Sequence, residues 1–497
     1  MNNLLILKNI GILPELFLCF SILFLLIFGS IISTKSPFYL VQSAIQKISL
    51  LILLLTIVLL INNYHYCVKD FIFFNNTLIS DYLSFFSKIV ISVFSFLCLT
   101  ANIIYINHQK LNNFEYFIIK LLAILGFLIL CSSNDLITTY LAIELQSLSF
   151  YVMASIKKSS SFSVDAGLKY FILGSFSSAI LLLGSSFIYG STGTINFEDL
   201  KSLFYFQNFT ELNMLNLGLI FFIISLFFKL SIAPVHLWSP DVYENSPTSS
   251  TIFFAVVSKL SILIILFRFY IYGLKFFTGI DWYYLFVFFS VLSIFLGSVT
   301  AITQKKLKSL LAYSSISHLG YIFLSFCSGS FESIQSMFMY LFIYMLGGCI
   351  VWSIFLVLQN KKNYNYKHNK DLTDLKSLIK SNSLLTFIFS ITLLSITGFP
   401  PLIGFFIKIN IFLSALELSS IFPVFLISLI SVISAFYYIR IIKILYFEKG
   451  ICGNLYKPML FSQSFIIILM FFLIIYLFID PTILYLITYK LSLLCYI

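Results

Sequence analysis

Apolar runs of about 20 residues recur along this chain with hardly a break, and each is long enough to cross a bilayer core of about 30 Å as a helix. Few architectures accommodate such a pattern. The 497 residues are 60% hydrophobic and 10% charged, against about 45–50% and 25% in an ordinary soluble domain, which excludes a soluble enzyme. The expected fold is therefore an all-α polytopic membrane protein.

Windows bounded by polar clusters predict about fourteen transmembrane helices, centred near residues 22, 52, 92, 122, 145, 177, 225, 260, 292, 318, 346, 397, 434 and 473. The first run has few positive residues before it and no small-residue cleavage site, so it reads as a retained helix. Lys and Arg test the count, because positive residues gather in the loops of one side. Seventeen lie in loops joining an odd span to the next even one, among them Lys157, Lys306, Lys376, Arg440 and Lys443; only Lys69, Lys201, Arg268 and Lys275 lie in the others. The formal charge of +11 is thus an orientation signal. Odd-to-even loops are expected on the cytoplasmic or matrix side, and both termini on the opposite one.

Nine basic residues remain at span depth: Lys8, Lys47, Lys88, Lys120, Lys169, Lys229, Lys259, Lys408 and Lys490. A charge at the bilayer centre costs about 2.5–3.5 kcal/mol on the lenient insertion scale and usually marks function. Lys8, Lys47, Lys120 and Lys490 read as residues near span ends whose stems snorkel to the headgroups; Lys88 and Lys169 read equally well either way. Lys259, inside VVSKLSILIILF, has no span end within reach. Glu144, in TTYLAIELQSLSFYVMA, is also near mid-span and must be paired or protonated.

Lys229 lies in FFKLSIAPVHLWSPDVYENSPT, where Pro234 removes a backbone donor and breaks or kinks the helix. His236 follows by seven residues, about two turns, and is a relay candidate. A second break stands at SITGFPPLIGFFIK, with Gly398, Pro400 and Pro401 ahead of Lys408. The two breaks are five spans apart. An odd offset inverts one unit relative to the other, the signature of an inverted repeat with sites at broken helices. The expected organisation is residues 1–115 as three helices, 116–275 and 276–450 as two inverted five-helix repeats, and 451–497 as a last span. His318, in LAYSSISHLGYIF, falls on the helix that corresponds to that of Glu144.

Eight cysteines are scattered singly with no CxxC pair, and five histidines add no ligand spacing, so neither a metal site nor an iron–sulfur site is expected in this chain. No GxGxxG follows a strand and there is no phosphate loop, so no nucleotide cofactor is expected either. Basic residues alternate with topology instead of forming one patch, which speaks against nucleic acid. The preference for Lys over Arg, with abundant Phe, Tyr, Ile and Asn, fits an A/T-rich genome such as an organelle's.

At the strings LAIELQSLSFYVMAS, AGLKYFILGSFSSAILLLGSS, FKLSIAPVHLWSPDVYENSPT, LKSLLAYSSISHLGYI and ITGFPPLIGFFIK, spanning about residues 120 to 410, the chain resembles the chain 2 family of the proton-pumping NADH:ubiquinone oxidoreductase, respiratory complex I, of the mitochondrial type. Its relatives typically read PDVYEGxPT where this chain has Asn245. The resemblance implies an antiporter-like membrane subunit of the mitochondrial inner membrane, mitochondrially encoded, with both termini on the intermembrane-space side. It implies that Glu144 and Lys229 form an ion pair in the first half-channel, that Lys259 carries the proton centrally, and that His318 bridges toward Lys408. It further implies that NADH, FMN, iron–sulfur clusters and ubiquinone are bound by partner subunits, and that other antiporter-like subunits and lipids are neighbours. Two rival readings share the same residues: a Na⁺/H⁺ antiporter-type subunit, and a structural membrane subunit with a vestigial channel.

Overall fold

The computed structural model describes residues 11–33, 38–64, 71–109, 113–206, 212–275, 282–362, 365–368, 371–376, 378–417, 421–448, 459 and 461–494. Among them, thirteen helices are long and apolar enough to cross a membrane. In chain order the helices are α1 (Leu13–Ser33), α2 (Phe38–Asn62), α3 (Tyr82–His108), α4 (Glu115–Ser132), α5 (Leu136–Ser155), α6 (Ser161–Thr192), the short α7 (Phe197–Phe206) and α8 (Leu212–Leu230). They continue as α9 (Trp238–Asn245), α10 (Thr248–Leu274), α11 (Trp282–Thr303), α12 (Leu307–Ser328), α13 (Phe331–Val357), α14 (Ser383–Thr397), α15 (Ile403–Leu416), α16 (Ile421–Tyr446), α17 (Phe461–Ile479) and α18 (Thr482–Leu494). Every centre expected from hydropathy falls in one of these helices. The centre near 397 falls at the end of α14, which with α15 is one of two shorter apolar helices on either side of the second break. The chain is an all-α polytopic membrane protein, with two antiparallel hairpins, β1–β2 (Phe71–Phe73 and Leu78–Ser80) and β3–β4 (Gln359–Lys362 and Asn365–His368), as its described sheet.

The chain forms two compact units: Met1–Leu99, Ile106–Leu230 and Asn245–Asp281 in one, Thr100–Tyr105, Ser231–Glu244 and Trp282–Ile497 in the other. In the first, α4 packs on α5, and α6 packs on α8. Helices surrounded by lipid gain little from hydrophobic burial against one another, so close approach of backbones at small residues takes over. Gly184 and Gly218 meet in this way: a Cβ on either would stand 3.0 Å or less from backbone atoms of the other helix. The most enclosed of the thirteen is α10, buried from Thr248 to Phe269. It carries π-helical turns at Phe253–Val257 and Tyr270–Leu274, and such turns cluster at functional sites.

Both predicted breaks are present. At Leu230 helix α8 stops, Ser231 has φ +62°, and a cis Ala233–Pro234 bond follows before α9. At Thr397 helix α14 stops, Gly398 has φ +82°, and a cis Pro400–Pro401 bond follows before α15. A positive φ ends a helix by turning the chain out of register.

Two buried cations, Arg268 and Lys120, depart from the sequence reading, and a third, Lys88, is decided by its partner. Arg268 is not a loop residue: it sits inside α10, 1% exposed, and holds Asp81 at 2.8 and 2.9 Å while donating to the Ser133 carbonyl at 3.1 Å. Asp81 in turn accepts from the Ser84 backbone at the start of α3, so one ion pair fastens three elements of the first unit. Lys88, equally open to two readings in the sequence, forms a buried ion pair with Glu15 at 2.5 Å. Lys120 does not snorkel. It is fully buried, with Nζ 4.2 Å from the Tyr116 ring centre and 5.2 Å from that of Phe253, and no hydrogen-bond acceptor within reach among the described residues. Lys47, Lys169 and Lys490 are exposed. Lys8, Lys35, Lys69, Lys110, Lys370, Lys449 and Lys457 lie outside the described residues.

Between α4 and α5 the chain is polar. The Asn134 side chain donates to the Asn76 carbonyl and to Asn196, and its backbone N–H donates to Thr77. Asp135 beside it is buried, with Oδ1 unbonded among the described residues. Burial, together with the Asp199 carboxylate, pushes its carboxyl up to about 6.

Three outcomes follow for the purified assembled complex. Asp81→Asn leaves Arg268 buried without its counter-charge and lowers stability by about 3 kcal/mol, read as an earlier thermal transition; an unchanged transition would refute the fastening role. Lys120→Met removes an ammonium whose burial costs several kcal/mol against roughly 0.5–2 kcal/mol from ring contacts, so the variant is at least as stable as the parent. A carboxyl whose folded pKa is raised holds its proton more tightly in the fold, so its cost is absent near pH 4 and grows as pH rises through about 6. Asp135→Asn therefore stabilises more at pH 7.5 than at pH 5, and thermal transitions at both values check the difference.

Candidate proton-transfer site

In the first unit the residues of interest rise from the helical period. Glu144, Ser147 and Tyr151 are spaced three and four apart on α5, so they share one face. Ser147 Oγ donates to Oε2 of Glu144 at 3.2 Å, and Tyr151 lies one turn further along the same face. Lys229, the penultimate residue of α8, donates to the Tyr151 hydroxyl at 3.3 Å and to the Gly174 carbonyl of α6 at 3.4 Å. Among the described residues Glu144 and Lys229 make no direct ion pair; Ser147 and Tyr151 stand between them. The carboxylate still acts on the ammonium electrostatically. Gly174 makes the arrangement possible, since a Cβ there would lie 2.1 Å from the Tyr151 oxygen.

Lys259 belongs to the same unit and is 4% exposed. It follows the first π-helical turn of α10 by two residues.

In the second unit His318 of α12 is buried with both ring nitrogens engaged: Nδ1 is 2.7 Å from the Tyr340 hydroxyl and Nε2 is 3.0 Å from that of Tyr438. A neutral imidazole donates from one nitrogen and accepts at the other, so the ring can exchange a proton with either hydroxyl. A small cavity beside it is lined by Tyr340, Tyr344, Ser395 and Gly404. Lys408 of α15 donates to the Thr397 carbonyl at 2.6 Å and lies 4.7 Å from the Tyr321 ring centre, one turn along α12 from His318. Thr397 is the last residue of α14, so the ammonium takes up a carbonyl that the break leaves without a helical partner. Gly398 again provides room, because a Cβ there would stand 2.9 Å from Lys408 Cδ.

His236 falls in the second unit. Its Nδ1 is 3.2 Å from the Pro234 carbonyl and its ring faces Tyr313 at 6.4 Å. Because α8 ends at Leu230, helical spacing does not place it on the face of Lys229.

Contacts and breaks recur along the chain at nearly constant offsets. In α4 a Cβ on Gly126 would meet the Ala142 carbonyl oxygen and the Gln146 nitrogen of α5; in α11 one on Gly297 would meet the Tyr313 oxygen and the Ser317 nitrogen of α12. All three positions shift by 171 residues, from Gly126 to Gly297, Ala142 to Tyr313 and Gln146 to Ser317. At the breaks, Ser231 and Pro234 map onto Gly398 and Pro401 with a shift of 167. On the first offset His318 takes the place of Ser147, three residues from that of Glu144. On the second, Lys229 and Lys408 do not coincide: Lys229 precedes its break, Lys408 follows its own, and the counterpart of Lys408 is Asp241. Sequence reading misses Tyr151, Tyr340 and Tyr438, because one hydroxyl among 30 tyrosines carries no positional signal. The one available pointer was the spacing of Tyr151 from Glu144.

Comparison with known proteins matches residues 133–434 to the family of NADH:quinone oxidoreductase/Mrp antiporter transmembrane proteins. NADH-ubiquinone oxidoreductase chain 2 of Marchantia polymorpha is 40% identical over 97% of this chain and 98% of its own length. That of Arabidopsis thaliana is 36% identical over 98% and 97%. Among solved structures, a chain of respiratory complex I from Thermus thermophilus shares the fold with a TM-score of 0.77, 24% identity and coverage of 95% and 98%. A chain of the Mrp complex from Dietzia does so with 0.82, 17% and 97% of each chain. With a family model over more than half of its residues and relatives matched nearly end to end, the chain belongs to the NADH:quinone oxidoreductase/Mrp antiporter family of membrane subunits, in its NADH-ubiquinone oxidoreductase chain 2 branch.

Proposed function

We propose that this chain is a core membrane-arm subunit of the proton-pumping NADH:ubiquinone oxidoreductase, moving protons across the membrane while partner subunits carry electrons from NADH to ubiquinone. The observation that carries this reading is that two helix breaks each stand beside a buried ammonium held by neutral oxygens. Lys229 rests on Tyr151 and Gly174, and Lys408 rests on Thr397. An ammonium so held stays where it is when it loses its proton, since no ion pair must be broken. The end-to-end likeness to chain 2 relatives supports the same assignment.

In this reading Glu144 and Lys229 form the first half of the path, coupled through intervening hydroxyls. Lys259, in a helix buried from Thr248 to Phe269, is the central carrier, and His318 passes protons toward Lys408 through the hydroxyls that face its ring. Loss of a nearby carboxylate charge makes a buried ammonium release its proton more readily, so charge movement along the row drives transfer. Electron transfer requires NADH, FMN, iron–sulfur clusters and ubiquinone, which this reading places on partner subunits. The other antiporter-like subunits and membrane lipids are the expected neighbours. Residues 116–275 and 276–450 act as inverted repeats, and the repeated contacts at Gly126 and Gly297 support that pairing. The home of the complex is the mitochondrial inner membrane, with the gene in the organelle and both termini toward the intermembrane space.

The central test is Lys259→Ala in the assembled complex, reconstituted in proteoliposomes with NADH oxidation and proton uptake followed together. Removing a positioned proton carrier is expected to slow proton uptake by roughly a hundredfold or more; unimpaired uptake would overturn the role. Uptake that required Na⁺ would point to cation exchange in its place.

A further inference from the structure

We propose that Tyr151 and Ser147 are the proton wire that joins Lys229 to Glu144, so that the two charged residues exchange a proton through hydroxyls and not by direct contact. The inference deepens the transport reading above and rests on it.

Geometry carries the argument. The Lys229 ammonium donates to the Tyr151 oxygen at 3.3 Å, and Ser147 Oγ donates to Glu144 Oε2 at 3.2 Å. Tyr151 and Ser147 are four residues apart on α5, so one turn separates them on the face that also carries Glu144. The tyrosine is held firmly. Its ring meets Tyr170 edge-on at 4.9 Å and Phe171 edge-on at 5.6 Å, and it is buried. Gly174 fixes where the hydroxyl ends: its missing side chain leaves the space that the Tyr151 oxygen occupies, and its carbonyl takes a second hydrogen bond from Lys229. A spacer ring would need neither the vacancy nor the polar tip, and a buried hydroxyl is costly unless it has partners.

The second unit supplies an independent observation. The position that corresponds to Ser147, 171 residues on, is His318, which also faces tyrosine hydroxyls. The same place in both repeats thus holds a group able to accept one proton and donate another, next to a tyrosine.

The step balances without a co-reactant. The Lys229 ammonium gives a proton to Tyr151 Oη as the tyrosine O–H proton passes to Ser147 Oγ and the serine proton passes to Glu144 Oε2. A neutral amine and a neutral carboxylic acid result, each hydroxyl keeps one proton, and the reverse sequence restores the charges. Tyr151 and Ser147 touch the transferred proton and are catalytic in that sense.

Tyr151→Phe removes one oxygen and keeps the ring packing. In the assembled complex in proteoliposomes, proton uptake per NADH oxidised and its solvent deuterium isotope effect are measured for Tyr151→Phe, Ser147→Ala and, in parallel, Glu144→Gln. The wire predicts that each hydroxyl deletion lowers proton uptake by roughly tenfold or more and changes the isotope effect, which loss of packing alone would not do. Parent-like uptake in Tyr151→Phe and Ser147→Ala beside an impaired Glu144→Gln would overturn the wire and leave the transport reading standing. Parent-like uptake in all three would overturn that reading too, and impaired hydroxyl variants beside a parent-like Glu144→Gln would overturn Glu144 as the acceptor. If Tyr151→Phe does not assemble, Ser147→Ala decides the matter, because it deletes a single small hydroxyl from the same path.

Discussion

A helix that stops where water cannot reach leaves carbonyls and N–H groups unpaired, and everything distinctive about this protein follows from how it meets that constraint. At the break after Thr397 the answer is Lys408, whose ammonium donates to the last carbonyl of α14 at 2.6 Å. The charge satisfies the backbone and the backbone satisfies the charge. Neither could stand alone at that depth, since the lysine would face an insertion cost of a few kcal/mol and the carbonyl a lost hydrogen bond. Lys229 does not cap its own break: it donates to Tyr151 and to the Gly174 carbonyl inside α6, so nothing ties it to the far side of the break as the Thr397 carbonyl ties Lys408.

What does stay in register is the packing. The contact at Gly126 recurs at Gly297 with the same pair of backbone atoms opposite, because helices this close tolerate no side chain at the crossing point. Packing preserved in this way holds the next turn of α5 and of α12 in equivalent positions, one presenting Ser147 and the other His318. The chemistry has diverged on a frame that has not.

Much of the frame is legible in the sequence, because hydropathy reports depth and depth is what a membrane helix must match. Every expected span centre lies in a helix, and both proline breaks are where Pro234 and Pro401 place them. The failures share one cause. Arg268 reads as a loop residue because it stands near the end of an apolar run; its partner Asp81 is 187 residues away in the chain, and no local pattern can announce that. Lys120 reads as a snorkelling residue because it lies in the first two turns of α4, yet the rings of Tyr116 and Phe253 close over it. Lateral packing decides where a charge points, and a single sequence records depth without neighbours. Tyr151 was illegible for the complementary reason: an aromatic on an apolar helix is ordinarily core, and only the hydroxyl's destination sets it apart.

Partners also sort the buried cations by task. Lys88 and Arg268 face carboxylates at 2.5 to 2.9 Å. Arg268 keeps its proton throughout, and Lys88 could release one only by leaving a buried anion uncompensated, a loss of several kcal/mol, so these two hold helices together. Lys229 and Lys408 face hydroxyl and carbonyl oxygens, and losing a proton leaves behind a neutral amine that can accept as well as donate. Lys120 has neither kind of partner, only ring faces, so a proton on it has no hydrogen-bonded neighbour among the described residues to pass to. A buried lysine is thus fit for transport when its first neighbour is neutral and that neighbour leads on to another proton acceptor. In the first unit Lys229 meets both conditions, and the neighbour that leads on is Tyr151.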